Sequence, residues 1–113
     1  MNLTILDIGK PVSKLAINGQ HFAYVTGADQ LKDEHYKVVL SHVRSIGQTL
    51  PLLVGADLRI HDGMLPNGLQ IGFMCGDDFV LNGRAALASL VNRIDLALDE
   101  LEMITIDVVG GVA

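Results

Sequence analysis

The segment from Asn82 to Glu102, NGRAALASLVNRIDLALDELE, constrains the fold more than any other part of the chain. Leu87, Leu90, Val91, Ile94, Leu98 and Leu101 recur at helical spacing and gather on one side of a helix spanning 82–102. A helix with so wide an apolar stripe does not stand alone in water, so it needs an apolar surface to receive it. The rest of the chain, rich in short β-type runs, is suited to supply one. At 113 residues the chain is long enough for one core and too short for two, so a single domain is expected over 1–113.

Taken in order, Leu3–Ile8 reads as a strand stopped by Gly9-Lys10-Pro11. Val12–Ile17 and Gln20–Thr26 flank Asn18-Gly19, a strong hairpin signal because both central residues of a type I′ turn need positive φ. A two-residue loop sets Leu15 opposite Phe22 and puts Leu15, Ile17, Phe22 and Tyr24 on one, core-facing side. From Asp29 to Gln48 the spacing predicts a second helix, with Leu31, Tyr36, Val39, Val43 and Ile46 buried. Its acids cluster at the start and Arg44 lies near the end, as the helix dipole favours. Leu52–His61 reads as a strand with a bulge at Gly55, and 61–68 as a loop. Leu69–Cys75 alternates, with Leu69, Ile71, Phe73 and Cys75 on one side, and Gly76-Asp77 turns it back into Phe79–Leu81. A strand over Met103–Val109 turns Ile104, Ile106 and Val108 inward, and residues 110–113 form a loose tail.

The two halves, 1–49 and 50–102, show a partial likeness. Residues 18–29, NGQHFAYVTGAD, overlay 67–78, NGLQIGFMCGDD, without a gap, sharing Asn, Gly, Gly and Asp. One explanation is a duplicated β-β-β-α unit followed by a C-terminal strand. The other is that strand ends simply reuse turn-forming residues. Under both, the expected fold class is α+β: an antiparallel-rich β-sheet with two helices packed on it.

Composition excludes several functions. A net charge of −5 speaks against sequence-independent nucleic-acid binding, which needs a basic face. The single cysteine, Cys75, forms no intramolecular disulfide and fits a reducing compartment. Residues 1–10 lack a secretory pattern, and the longest apolar run, 50–56, is interrupted by Pro51 and Gly55 and is too short to span a bilayer; a cytoplasmic protein is expected. Half of the residues are apolar and 19% charged, which favours a homodimer or higher oligomer over a monomer.

No catalytic set emerges. Asp57 and Asp62, followed by Asp77-Asp78 at a hairpin tip, resemble the paired aspartates with which a polymerase palm holds Mg²⁺, but their spacing is far too short for a palm. His35 and His42 share a helix side in this reading yet stand two turns apart, too far to hold one ion, so the four histidines read as residues at the border of the core. Cys75, alternating with Leu69, Ile71 and Phe73, reads as a small core hydrophobe. No metal site and no cofactor are expected.

One element breaks a local rule. Arg84 lies in the first turn of the 82–102 helix, and Asp95, Asp99, Glu100 and Glu102 crowd its last two, the reverse of what the dipole favours. Asp95 and Asp99 are also a like-charge pair one turn apart, and Leu96 projects opposite the apolar stripe. An acidic surface with an apolar knob suits docking on a basic partner; a solvated helix face is the plainer account. Asp95, Leu96, Asp99, Glu100 and Glu102 are therefore the candidate partner-binding residues. The function expected is a small acidic, non-enzymatic binding module, an inhibitor or regulator of a larger protein with a basic, nucleic-acid-binding type of surface. Toxin-immunity proteins and phage-encoded anti-defence inhibitors are similar in size and charge. The alternative is a homo-oligomeric small-molecule or nucleotide binder, its pocket between subunits and its anion contacts supplied by Arg59, Arg84, Arg93 and the histidines.

Overall fold

The computed structural model describes residues 1–109. Its first three strands, β1 (Asn2–Leu6), β2 (Val12–Ile17) and β3 (Gln20–Thr26), precede a 3₁₀ turn at Ala28–Gln30. Then come β4 (His35–Val43), β5 (Gln48–Leu53), β6 (Leu58–His61), β7 (Leu69–Gly72), β8 (Met74–Cys75) and β9 (Val80–Leu81). The helix α1 (Gly83–Asp99) and β10 (Thr105–Val108) complete the order. Eight strands close into a barrel in the order β1-β10-β4-β5-β6-β7-β3-β2, while β8 and β9 form a separate two-stranded flap. Closure leaves the barrel no open edge. Leu3, Ile5, Leu15, Val25, Leu53, Ile60, Leu69, Ile71 and Ile106 fill it and are fully buried.

This replaces the expected α+β sheet with two helices: the fold is a mostly-β closed barrel with one helix. The predicted helix over 29–48 is a 3₁₀ turn followed by β4. Tyr36 and Val38 point inward at a two-residue period, and the stretch HYKVVLSHV is rich in the β-branched and aromatic residues that favour a pleated surface. Its helix-like spacing was coincidental. Without a helix in the first half there is no repeated β-β-β-α unit. The two Asn-Gly pairs also differ in use: Asn18-Gly19 (φ 48° and 83°) is the tight turn between β2 and β3, whereas Asn67-Gly68 ends the loop between the parallel strands β6 and β7.

Three smaller corrections follow from geometry. The β2–β3 pairing slips at Leu15/Ala16, so Leu15 faces Ala23 and not Phe22. Phe22 is the extra residue of the bulge, and the slip turns Ala23 and Val25 inward in place of Phe22 and Tyr24. The predicted strand 52–61 is two strands joined by a turn in which Gly55 and Asp57 have φ of 97° and 55°. The alternation from Leu69 holds to Ile71, but a Cβ on Gly72 would stand 2.4 Å from the Leu81 carbonyl oxygen; the chain leaves the barrel there, and Phe73 and Cys75 are exposed. The tail at 110–113 lies outside the described residues.

The helix forms where expected and covers one mouth of the barrel. Ala86, Leu87, Leu90, Ile94 and Ala97 are its buried residues. Leu98 and Leu101, assigned to the stripe from spacing alone, are exposed: Leu98 lies in the last turn of α1, and Leu101 lies beyond its end at Asp99. The Glu102 N–H donates to the Ala97 carbonyl at 3.0 Å and the Leu101 N–H to the Leu98 carbonyl at 2.9 Å, a Schellman closure that needs a left-handed residue. Leu101 takes that place at φ 60°, where glycine is usual.

The other mouth is closed by the 3₁₀ turn. The Gln30 amide donates to the carbonyls of Gly27 (3.0 Å) and Gly68 (2.9 Å) and accepts from the Gly68 N–H (3.2 Å). The Tyr36 hydroxyl accepts from the N–H groups of Lys32 (3.0 Å) and Asp33 (2.8 Å). Among the described residues, no helix is long and apolar enough to cross a membrane.

Candidate functional site

The residues singled out on α1 and just past its end divide between two depressions, one on each side of the helix. Leu96, Glu100 and Glu102 lie beside Arg93, Met1 and Asn18, over the β1–β2 side of the mouth. Asp95 lies on the other side, facing the start of β5. Asp99, between them, is exposed and lines neither. Leu96 is 58% exposed and keeps the knob-like position expected of it. Glu102 is not free: its Oε1 accepts from the Met1 amino group at 3.0 Å. That bond and the amino group's charge hold its carboxyl below the usual range.

The Asp95 side is the larger depression, a groove of about 390 Å³ between α1 and the barrel rim. Arg84, Leu87, Val91 and Asp95 form its helical wall, and Gln48 and Asp62 its barrel wall. The helical residues are one column because positions three and four apart share a helix face. The barrel residues arrive by pairing: Gln48 opens β5 opposite Val43, and Asp62 follows His61, the last residue of β6. Gly83 lets the two walls meet, since a Cβ there would stand 2.8 Å from the Ile71 carbonyl oxygen and 3.2 Å from that of Asp62.

Two oxygens in the barrel wall, Oε1 of Gln48 and Oδ1 of Asp62, are buried with no hydrogen-bond partner. A third buried orphan, the donor Nε of Arg59, belongs to a side chain that lines a different depression and whose Nη2 donates to Ser41 Oγ at 3.4 Å. His61 anchors the loop that leads into the groove. Its Nδ1 accepts from the Gly63 N–H at 2.9 Å, and it also bonds the Asn67 backbone. Burial lowers its pKa from the usual 6.5, the Asn67 bond and the Asp62 charge opposing this only in part, so the ring is held neutral.

The structure disperses the other candidates. Arg59, Arg84 and Arg93 line three different depressions, and Arg93 lies 5.5 Å over the Phe22 ring. The histidines are equally scattered: His61 is buried, His42 meets Thr49, His21 packs on Tyr24 at 4.9 Å, and His35 pairs with Asp107. The bonds from His35 and then Asn2 lower the Asp107 pKa. Asp57 lies in the β5–β6 turn, Asp62 in the groove, and Asp77 on the flap beside Lys10 and Lys14. Among the described residues, no three His, Cys, Asp or Glu side chains are placed to hold a metal ion.

Sequence reasoning missed Gln48 and considered Asp62 only as one of a pair of metal-holding aspartates, because the relation of both to α1 depends on strand pairing. The helical spacing of Arg84, Leu87, Val91 and Asp95 was legible, but Leu87 and Val91 were assigned to the buried stripe and Asp95 to the partner-binding face, so the four were not joined into one wall. No family model matches this chain, and neither a curated protein nor a solved structure matches it.

Proposed function

We propose that this protein is a small acidic, non-enzymatic binding module that docks through the outer face of α1 on a basic surface of a larger partner, as an inhibitor or regulator would. The observation that carries this reading is the pairing of its charges. The chain has 13 Asp and Glu against eight Lys and Arg, yet among the described residues no Lys or Arg forms an ion pair with a carboxylate. The two ion pairs use the Met1 amino group and His35. Asp95, Asp99 and Glu100 stay open beside the exposed Leu96, at the helix end where the dipole already disfavours negative charge. Charge kept at such a position supports a role in recognition. An exposed free Cys75 fits the cytosol as the compartment. Self-association belongs to the same proposal; its best support is the flap, where Met74, Phe79 and Leu81 are all about half exposed.

The test is affinity capture from a host lysate with the native protein and with Asp95→Lys/Asp99→Lys, alongside light scattering and circular dichroism. A stoichiometric partner lost in a folded variant is the expected result. Undiminished capture by the variant would remove α1 from the docking surface.

A further inference from the structure

We propose that the groove between α1 and the start of β5 receives the guanidinium of one arginine side chain, presented by the basic partner surface inferred above. The inference rests on that reading for the source of the arginine, but its chemistry is read from the groove alone. Oε1 of Gln48 and Oδ1 of Asp62 are acceptors left without a donor, each atom covered although its side chain is only half-buried at the groove. Buried polar groups are nearly always satisfied, and each orphan is costly. Two of them in one cavity wall, both acceptors, describe the missing piece as a donor. The terminal torsions of Asp and Gln are soft, so a small rotation presents either oxygen to an entering group.

The chain does not supply that donor itself. Arg84 lines the same groove, yet it is exposed and makes no ion pair with Asp62 or Asp95. A carboxylate selects a charged donor over a neutral one. Acceptors on two separate elements, with Asp95 as a third, select a planar fork of several N–H groups over the point charge of an ammonium. Leu87 and Val91 provide an apolar floor for the aliphatic stem. Two carboxylates against one guanidinium leave the groove negative, which disfavours a phosphate or nucleotide.

The experiment titrates the full chain with Nα-acetyl-L-arginine N-methylamide, read by amide shifts in NMR spectra. The controls are the citrulline analogue, of the same shape without charge, and the lysine analogue. Saturable shifts at Thr49, Leu87 and Val91 are expected, with citrulline binding about tenfold more weakly or worse. Asp62→Asn, which keeps the side-chain shape, should weaken arginine binding by about tenfold, and Gln48→Leu should weaken it less. Arg84→Gln should strengthen it by about threefold, because it removes a like charge at the rim. Shifts indifferent to the arginine charge, or binding lost in Arg84→Gln as an anion site requires, would overturn the assignment, as would the absence of saturable shifts. The two proposals fail separately. Saturable arginine binding without a captured partner removes the docking function and leaves the groove; a partner captured equally well by Asp62→Asn removes the groove and leaves the docking face.

Discussion

The two mouths of the barrel are closed by different means. At the 3₁₀ mouth each closing contact is matched: Gln30 ties Gly27 to Gly68, and the Tyr36 hydroxyl takes two backbone N–H groups. At the α1 mouth the chain accepts several locally unfavourable features. Asn82 and Leu101, flanking the helix, are both left-handed at φ 60°; the helix charges oppose its dipole; and two acceptors lack donors. Left-handed backbone is not peculiar to this mouth, since Asp7 and Asp57 also have φ of 64° and 55°. What sets the α1 mouth apart is helix charge set against the dipole together with two acceptors that lack donors.

The contrast is strongest at Gly27, with φ 87° and a would-be Cβ 2.5 Å from the Gly68 carbonyl oxygen. Gly27→Ala is expected to cost about 4 kcal/mol or more in urea unfolding, since neither backbone can yield cheaply. A small loss there would mean the closed mouth is softer than its hydrogen bonds imply. Ile94→Ala, at the centre of the lid, should cost about 3 kcal/mol. Near-ultraviolet and far-ultraviolet signals should still melt together; separate transitions would show that α1 unfolds independently of the barrel. Tyr36→Phe should cost about 1–2 kcal/mol, by leaving two backbone donors without their acceptor. At Leu101, 94% exposed in a glycine conformation, the sign reverses: Leu101→Gly should stabilise by about 1 kcal/mol, seen as a raised urea midpoint.

The smallest effect is a dependence on pH. His61 has a folded pKa below its unfolded 6.5, so the unfolded chain binds the extra proton first. Stability should be complete above about pH 6.5 and decline as pH falls from there through the folded pKa, then level off for this group. His61→Gln should flatten that slope in unfolding free energies measured at successive pH values. An unchanged slope would move its origin to another residue.

The legible part of this chain was local. The α1 periodicity, the Asn18-Gly19 turn and the reversed helix charges all depend on neighbours within a few residues, and each is present in the structure. The failures came where a three-dimensional partner decides. His35–Val43 satisfies helical and strand spacing at once, and the slot between β10 and β5 made it a strand. One bulge moved Phe22 and Tyr24 off the inner face, and no pattern in the sequence announces a bulge without glycine. In the candidate site the helical spacing was readable and Asp62 was named as a carboxylate, whereas the meeting of Asp62 with Gln48 and α1 depends on pairings that a single sequence does not display.

The barrel closes with its latest strand. β10 runs parallel to β1 and antiparallel to β4, wedged between strands formed from the first 43 residues. During synthesis β1 and β4 therefore wait with bare hydrogen-bonding edges until residues 105–108 clear the ribosome. Such pairing across nearly the whole chain makes slow, late-committing folding the natural kinetics of this architecture. In that interval two edges of β-rich sequence are open to any other extended chain, so yield in the cell should depend on how quickly the last strand arrives.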